Sequence, residues 1–167
     1  MPHLDELYRS ARRMLGDPSR AEDVVQDVYL RAWRSFHTFS AGTNCRAWLY
    51  RILANAVHDY RARWLKRLPA DDSEEILAQQ EAPSPTLERL ADREILAALD
   101  GLPEAYRDAI VLTDVEGFSY KETAEILGVK IGTVMSRLSR GRRLLRGGLR
   151  EAARGYGLAV AAQVDDR

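Results

Sequence analysis

The chain has 167 residues, enough for one comfortable core or two small domains, and its twenty-five Lys and Arg balance twenty-five Asp and Glu. Its single cysteine, Cys45, excludes an internal disulfide, and its three histidines lack metal-ligand spacing. No apolar run reaches membrane-spanning length and no secretory signal opens the chain, so a cytoplasmic protein without membrane insertion, metal or cofactor is expected.

The zero net charge conceals blocks. Residues 1–67 carry twelve Lys and Arg against seven Asp and Glu, residues 68–94 two against eight, and residues 95–150 nine against seven. From Lys130 to Arg150 seven bases occur without one acid. Two basic blocks around an acidic one point to two surfaces for a polyanion, joined by a segment that avoids it.

Leu4, Leu7, Tyr8, Ala11, Met14 and Leu15 recur at helical spacing, and Gly16 with Asp17-Pro18 stops that helix. Ser19 and Glu22 read as a capping box for a helix over roughly 20–36, with Val24, Val25, Val28, Ala32 and Phe36 on its buried side. Asp23, Gln26 and Asp27 lie off that stripe. After the polar loop Ser40-Ala41-Gly42-Thr43, a long amphipathic helix is expected from about Asn44 to Lys66, with Trp48, Ile52, Ala56 and Tyr60 inward. Residues 68–86, acidic and with three prolines, read as a linker. Helices follow over about 87–100, ended by Gly101, and about 103–115, opened by Pro103 and broken by Gly117. No segment alternates like a strand. The expected class is all-α, with two small helical domains over 1–67 and 87–152, a flexible linker over 68–86 and a frayed tail over 153–167.

Residues 119–146, SYKETAEILGVKIGTVMSRLSRGRRLLR, carry the most specific signal. Ser119 and Glu122 form a capping-box pair. Ala124 is small enough for a second helix to cross closely, and Gly128 can take a left-handed turn. The helix beyond is loaded with Arg, as in a helix that reads the DNA major groove. The competing reading is an ordinary helical hairpin with a solvated basic face.

Three blocks then name a family: AEDVVQDVYLRAW (21–33), GTNCRAWLYRILANAVHDYR (42–61) and LPEAYRDAIVLTDVEGFSYKETAEILGVKIGTVMSRLSRGRRLL (102–145). In order and spacing the chain resembles an extracytoplasmic-function sigma factor, a small bacterial transcription-initiation factor with sigma regions two and four. The wording is most similar to the branch answering thiol-oxidative or envelope stress. The family's first helix usually begins further upstream of the LDELY segment, so either a short first helix or a truncated start is expected.

The resemblance implies that the arginine-rich helix binds the promoter −35 element. Residues near its start enter the groove, which makes Thr133, Met135, Ser136, Ser139 and Arg140 candidates for base reading. Lys130, Arg137, Arg142 and Arg143 are better placed for phosphates, while Ile131, Val134 and Leu138 pack inward. By the same resemblance, the loop 37–46 and the following helix capture the −10 element. Arg51, Asn55 and Asp59 are spaced one helical turn apart, and an Asn amide offers a base edge both donor and acceptor. Arg61, Arg63 and Lys66 can hold the backbone. The family often has Asn where Asp59 stands, so the preferred base can differ. Trp48 reads as core; Trp64, beside Arg63 and Lys66, either packs or stacks on DNA.

Resemblance also implies that the helix over 21–33 binds the β′ clamp helices of core RNA polymerase, through Asp23, Gln26, Asp27 and Arg31, with the β flap a further polymerase contact. From composition alone the same strip is simply the wet side of an amphipathic helix. An anti-sigma factor is a further implied partner. The acidic linker is either a tether or a nucleic-acid mimic in the polymerase cleft. A stand-alone helix-turn-helix regulator is the alternative function, separated by its independence of polymerase. No phosphate-cradling loop or nucleophile motif supports an enzyme or a small-molecule substrate, and Cys45 has no visible resolving partner.

Overall fold

The computed structural model describes residues 3–40, 42–66 and 87–155, with side chains described outside 87–92 and 151–155. The described residues are helical, with no strand among them. The expected linker over 68–86 and the tail beyond Gly155 lie outside them.

Helix α1, Leu4–Leu15, buries Leu7, Ser10, Ala11 and Met14, and ends at Gly16. Helix α2, Pro18–Ser35, does not use the expected Ser19/Glu22 box. Asp17 is its cap, accepting from the Arg20 amide at 3.0 Å, with Pro18 in the first turn. Proline at the first helical position loses no hydrogen bond, so the start moves two residues upstream. Ala21, Val24, Val25, Val28 and Ala32 are buried against α1 and α3. Phe36, expected inside, is 65% exposed in the 3-10 turn Phe36–Thr38, edge-on to Trp48.

Helix α3, Cys45–Leu65, is capped by Asn44, which accepts from the Ala47 amide. Its fully buried residues are Leu49, Tyr50, Leu53, Ala56 and Val57, while Trp48, Ile52 and Tyr60 stay half-buried at the flank. The expected stripe is therefore rotated. α3 packs on α2 with one side and on α6 with another, and two buried faces blur the single-face periodicity that sequence reading relies on.

In the second half, α4 (Leu87–Asp100) is followed by α5 (Glu104–Ile110), which continues into a wide π-type turn, Val111–Val115, closed by the Glu116 amide donating to Val111 O. The expected single helix over 103–115 thus contains an inserted residue, which shifts the phase of the side chains beyond it. Helix α6, Tyr120–Leu127, has the full Ser119/Glu122 capping box. Gly128 ends it at φ 63°, a left-handed conformation that costs glycine nothing. Helix α7, Ile131–Gly155, runs on through Gly147 and Gly148.

Two apolar clusters hold this together. Leu99, Leu102, Ala109, Ile110, Ala124, Val134 and Leu138 join α4, α5, α6 and α7. The larger cluster joins Leu7, Met14, Val24, Val28, Tyr50, Leu53 and Val57 of the first half to Val111, Leu112, Phe118 and Ile126 of the second. Each fully buried aliphatic side chain contributes roughly 1.5–3 kcal/mol, so the apolar contact across the two halves is substantial.

Candidate nucleic-acid interface

The helix-turn-helix presents its basic helix outward. Val134 and Leu138 are buried and lock α7 to α5 and α6, whereas Ile131, expected inward, is exposed at the first turn. Lys130, Met135, Ser136, Ser139, Arg140 and Arg143 are exposed; Thr133 and Arg137 are half-buried. Arg142 differs from its neighbours. It donates from Nε and Nη2 to the Asp114 carboxylate at 2.9 and 2.6 Å, and these bonds raise its already high pKa. A phosphate would meet only its remaining donors. Tyr120, Met135, Ser139, Arg142 and Arg146 line a shallow cavity of about 290 Å3 on this face.

On α3, Arg51, Asn55, Asp59 and Arg63 follow one another at four-residue steps and share a face, with Arg51, Asn55 and Arg63 exposed. Lys66 caps the helix and is also exposed. Arg61 does not join them. It turns to the opposite side, where its guanidinium donates to Asp108 and to the Met14 carbonyl. Asp59 accepts from Arg31 Nη1 at 2.7 Å, and that bond holds its carboxyl below the usual carboxylate range. Arg31 also pairs with Asp27 at 2.8 Å, and Arg63 approaches Asp27 at 4.0 Å. Three residues expected to face polymerase, Asp23, Gln26 and Asp27, therefore share one groove with Arg63, expected to face the −10 element. Its volume is about 360 Å3, and Asp23, Gln26, Asp27, Leu30, Arg63 and Trp64 line it. Trp64 carries Arg20 over its ring at 4.2 Å, and Trp48 packs against Phe39 at 5.3 Å between centroids.

Two features escaped sequence reading. Leu30 and Trp33 are exposed on the outer side of α2, Trp33 at 85%. An apolar pair beside Asp23, Gln26 and Asp27 has the composition of a protein-docking surface, an apolar centre with a polar rim. Their one-turn spacing beside the acidic strip was the available signal. The second feature is a polar cluster around Glu116, whose side chain is 8% exposed. Ser10 Oγ lies 2.6 Å from its carboxylate, Tyr50 OH donates to it at 2.8 Å and Arg46 Nη2 at 3.0 Å. Burial pushes the Tyr50 phenol far above its ordinary range, so it remains a donor. Arg46 also pairs with Glu6 and lies 4.3 Å over the Phe118 ring. No local motif announces this cluster, because its members lie up to 106 residues apart.

Comparisons with known proteins cover both halves. The family model described as Sigma-70 region 2 matches residues 1–67, and that described as Sigma-70, region 4 matches residues 92–145. The chain is 40% identical over 148 residues to the ECF RNA polymerase sigma factor SigE of Mycolicibacterium smegmatis, covering 86% of this chain but 57% of that protein's length. It is 40% identical over 138 residues to the ECF RNA polymerase sigma factor EcfG of Rhodopseudomonas palustris, covering 81% of this chain and 75% of that one. Among solved structures, the sigma factor RpoE of Bartonella quintana, in complex with the anti-sigma factor NepR, matches with a TM-score of 0.75 and 33% identity, over 88% of this chain and 91% of that one.

Proposed function

The chain belongs to the extracytoplasmic-function sigma factors, and from that premise we propose that it directs core RNA polymerase to specific promoters and assists their melting. The carrying observation is the pairing, on one chain, of a region-2 half and a region-4 half that each present an exposed polar helix face. In this reading Lys130, Thr133, Met135, Ser136, Ser139, Arg140 and Arg143 meet the −35 element. Arg140 is the leading base reader, because it is exposed near the helix start and has no carboxylate on its guanidinium among the described hydrogen bonds and ion pairs. Arg51, Asn55, Asp59, Arg63 and Lys66 meet the −10 element, with Arg61 added once it leaves Asp108.

The outer side of α2, with Leu30 and Trp33 set beside Asp23, Gln26 and Asp27, docks on the polymerase. Arg31 holds Asp27 and Asp59 together, so it positions both surfaces relative to each other. The chain itself supplies differential binding that favours melted over closed promoter DNA, and the polymerase performs the chemistry. Likeness to a sigma factor solved with its anti-sigma factor supports a similar regulator here.

Transcription in vitro with core polymerase over a promoter library tests this reading. Defined start sites are expected only when the chain is added. Promoter binding that needs no polymerase, with no new start sites, would instead establish a stand-alone regulator.

A further inference from the structure

The arginine-rich stretch from Lys130 to Arg150 has seven bases and no acid of its own, yet one carboxylate reaches it from outside. Asp114 comes from the wide turn Val111–Val115, where Val111 and Leu112 go fully into the core and Asp114 stays outside. The inserted residue sets the phase of this turn. Asp108, before it, faces Arg61 on α3, whereas Asp114 faces Arg142 on α7. Among the described hydrogen bonds and ion pairs, no other base of the stretch meets a carboxylate.

The contact is side-on. Asp114 accepts from Nε and from Nη2, at 2.9 and 2.6 Å. The guanidinium keeps its other donors on the end formed by Nη1 and Nη2, now held in one plane. The pair is open to water, with the Arg142 side chain 41% exposed and that of Asp114 32%, so it adds little to the folded state. It also stands on the reading side of α7, where Arg142 shares the walls of the shallow cavity with Met135 and Ser139, two candidate base readers. A carboxylate beside a polyanion weakens binding. The pair therefore opposes affinity without securing the fold, and what it controls is the direction of one arginine.

We propose that Asp114 is a positioning residue: by holding Arg142 in one plane it lets that arginine meet a phosphate only when α7 sits in its proper register, and so sharpens the choice of −35 sequence. The inference rests on the promoter-directing reading above. A free arginine is a swinging charge that finds a phosphate in any register, and non-specific binding consists almost wholly of such contacts. A held one offers its open end in a single direction. The loss falls on wrong registers, which gains specificity by penalising the competitor.

The test uses the full chain assembled with core polymerase, on a promoter it selects from a library and on the same fragment with the −35 segment scrambled. Asp114→Ala should tighten binding to the scrambled fragment by about fivefold to tenfold at roughly 0.1 M salt, and steepen its salt slope by about 0.9, the share of one added phosphate contact. The intact promoter should gain much less, so the preference between the two narrows. Arg142→Ala supplies the control. In that background Asp114→Ala should leave the preference where it was, because no arginine is released. Asp114→Asn, which keeps the side-chain shape and loses the charge, should narrow the preference in the wild-type background, and it decides the question where the alanine variant folds poorly. The proposal is overturned if the preference is unchanged, if both fragments tighten alike (simple repulsion by Asp114), or if the narrowing persists without Arg142. A wild-type chain that selects no promoter from the library would instead sink the promoter-directing reading.

Discussion

The Arg61 guanidinium donates to both oxygens of Asp108, at 2.7 and 3.0 Å, across 47 residues of sequence. It joins the end of the first helical half to the middle of the second, with little water on either group. Removing the acid leaves a nearly buried cation with only the Met14 carbonyl and the exposed Glu104 as partners. Asp108→Ala should therefore lower stability by about 1.5–3 kcal/mol in equilibrium urea unfolding. Arg63→Ala, on the exposed face of the same helix, should stay within about 0.5 kcal/mol. Equal effects of the two would show that the seam contributes nothing to the folded state.

The α6 cap has a pH signature. The Ser119 amide donates to Glu122 Oε2 at 2.9 Å, and this bond holds the Glu122 carboxyl below its usual range. A carboxyl whose folded pKa is depressed stabilises above its unfolded value and loses that contribution as pH falls through the folded one. Between about pH 5 and pH 3 the wild-type chain should lose more stability than Glu122→Gln does, by thermal unfolding followed at each pH. Ser119→Ala should cost about 0.5–2 kcal/mol at neutral pH.

On the recognition helix, Arg140→Ala should cost about 1–3 kcal/mol of promoter binding and relax one base preference, measured across a duplex library. Arg142→Ala should cost less binding, because Asp114 already takes two of its donors. The reverse order would mean that Asp114 releases Arg142 on the duplex.

For the polymerase surface, Asp23 is the clean probe and Asp27 is not. Asp23 is exposed, whereas Asp27 pairs with Arg31 and lies near Arg63. Asp23→Lys should weaken affinity for core polymerase with unchanged unfolding. Asp27→Lys should weaken affinity and also lower stability, since a third cation would enter that cluster. Unchanged core affinity for both would move the docking surface off this part of α2.

Two glycines on α7 should respond with opposite signs. A Cβ on Gly141 would lie 2.8 Å from Ile110 Cδ1 and 3.1 Å from Tyr106 Cβ, so Gly141→Ala should destabilise by about 1 kcal/mol or more in urea unfolding. Gly132 faces open space, and Gly132→Ala should stabilise by about 0.4–1 kcal/mol.

Helix content and the helix-turn-helix were legible because their causes are local. Ser119 and Glu122 satisfy each other's backbone donors within one turn, and Gly128 is the residue that turns left-handed without cost. The outward set of α7 was equally readable from spacing, with Ile131 the exception at its first turn. The start of α2 was misplaced because Asp17 and Ser19 both can cap, and Pro18 decides between them. The buried side of α3 was misplaced because the helix packs on α2 and on α6, and two covered faces blur the periodicity that marks a single stripe.

Local chemistry in the chain thus determined where helices begin and end, which of them carries the basic face, and which family the chain belongs to. Only the tertiary structure decided which charges are engaged. Arg61 and Arg63 look alike two residues apart, yet one faces Asp108 across the seam and the other faces solvent, since two steps along a helix turn a side chain by about 200°. Glu116 is one more acid in sequence; an inserted residue in the preceding turn and four groups from α1 and α3 make it the centre of the contact between the halves.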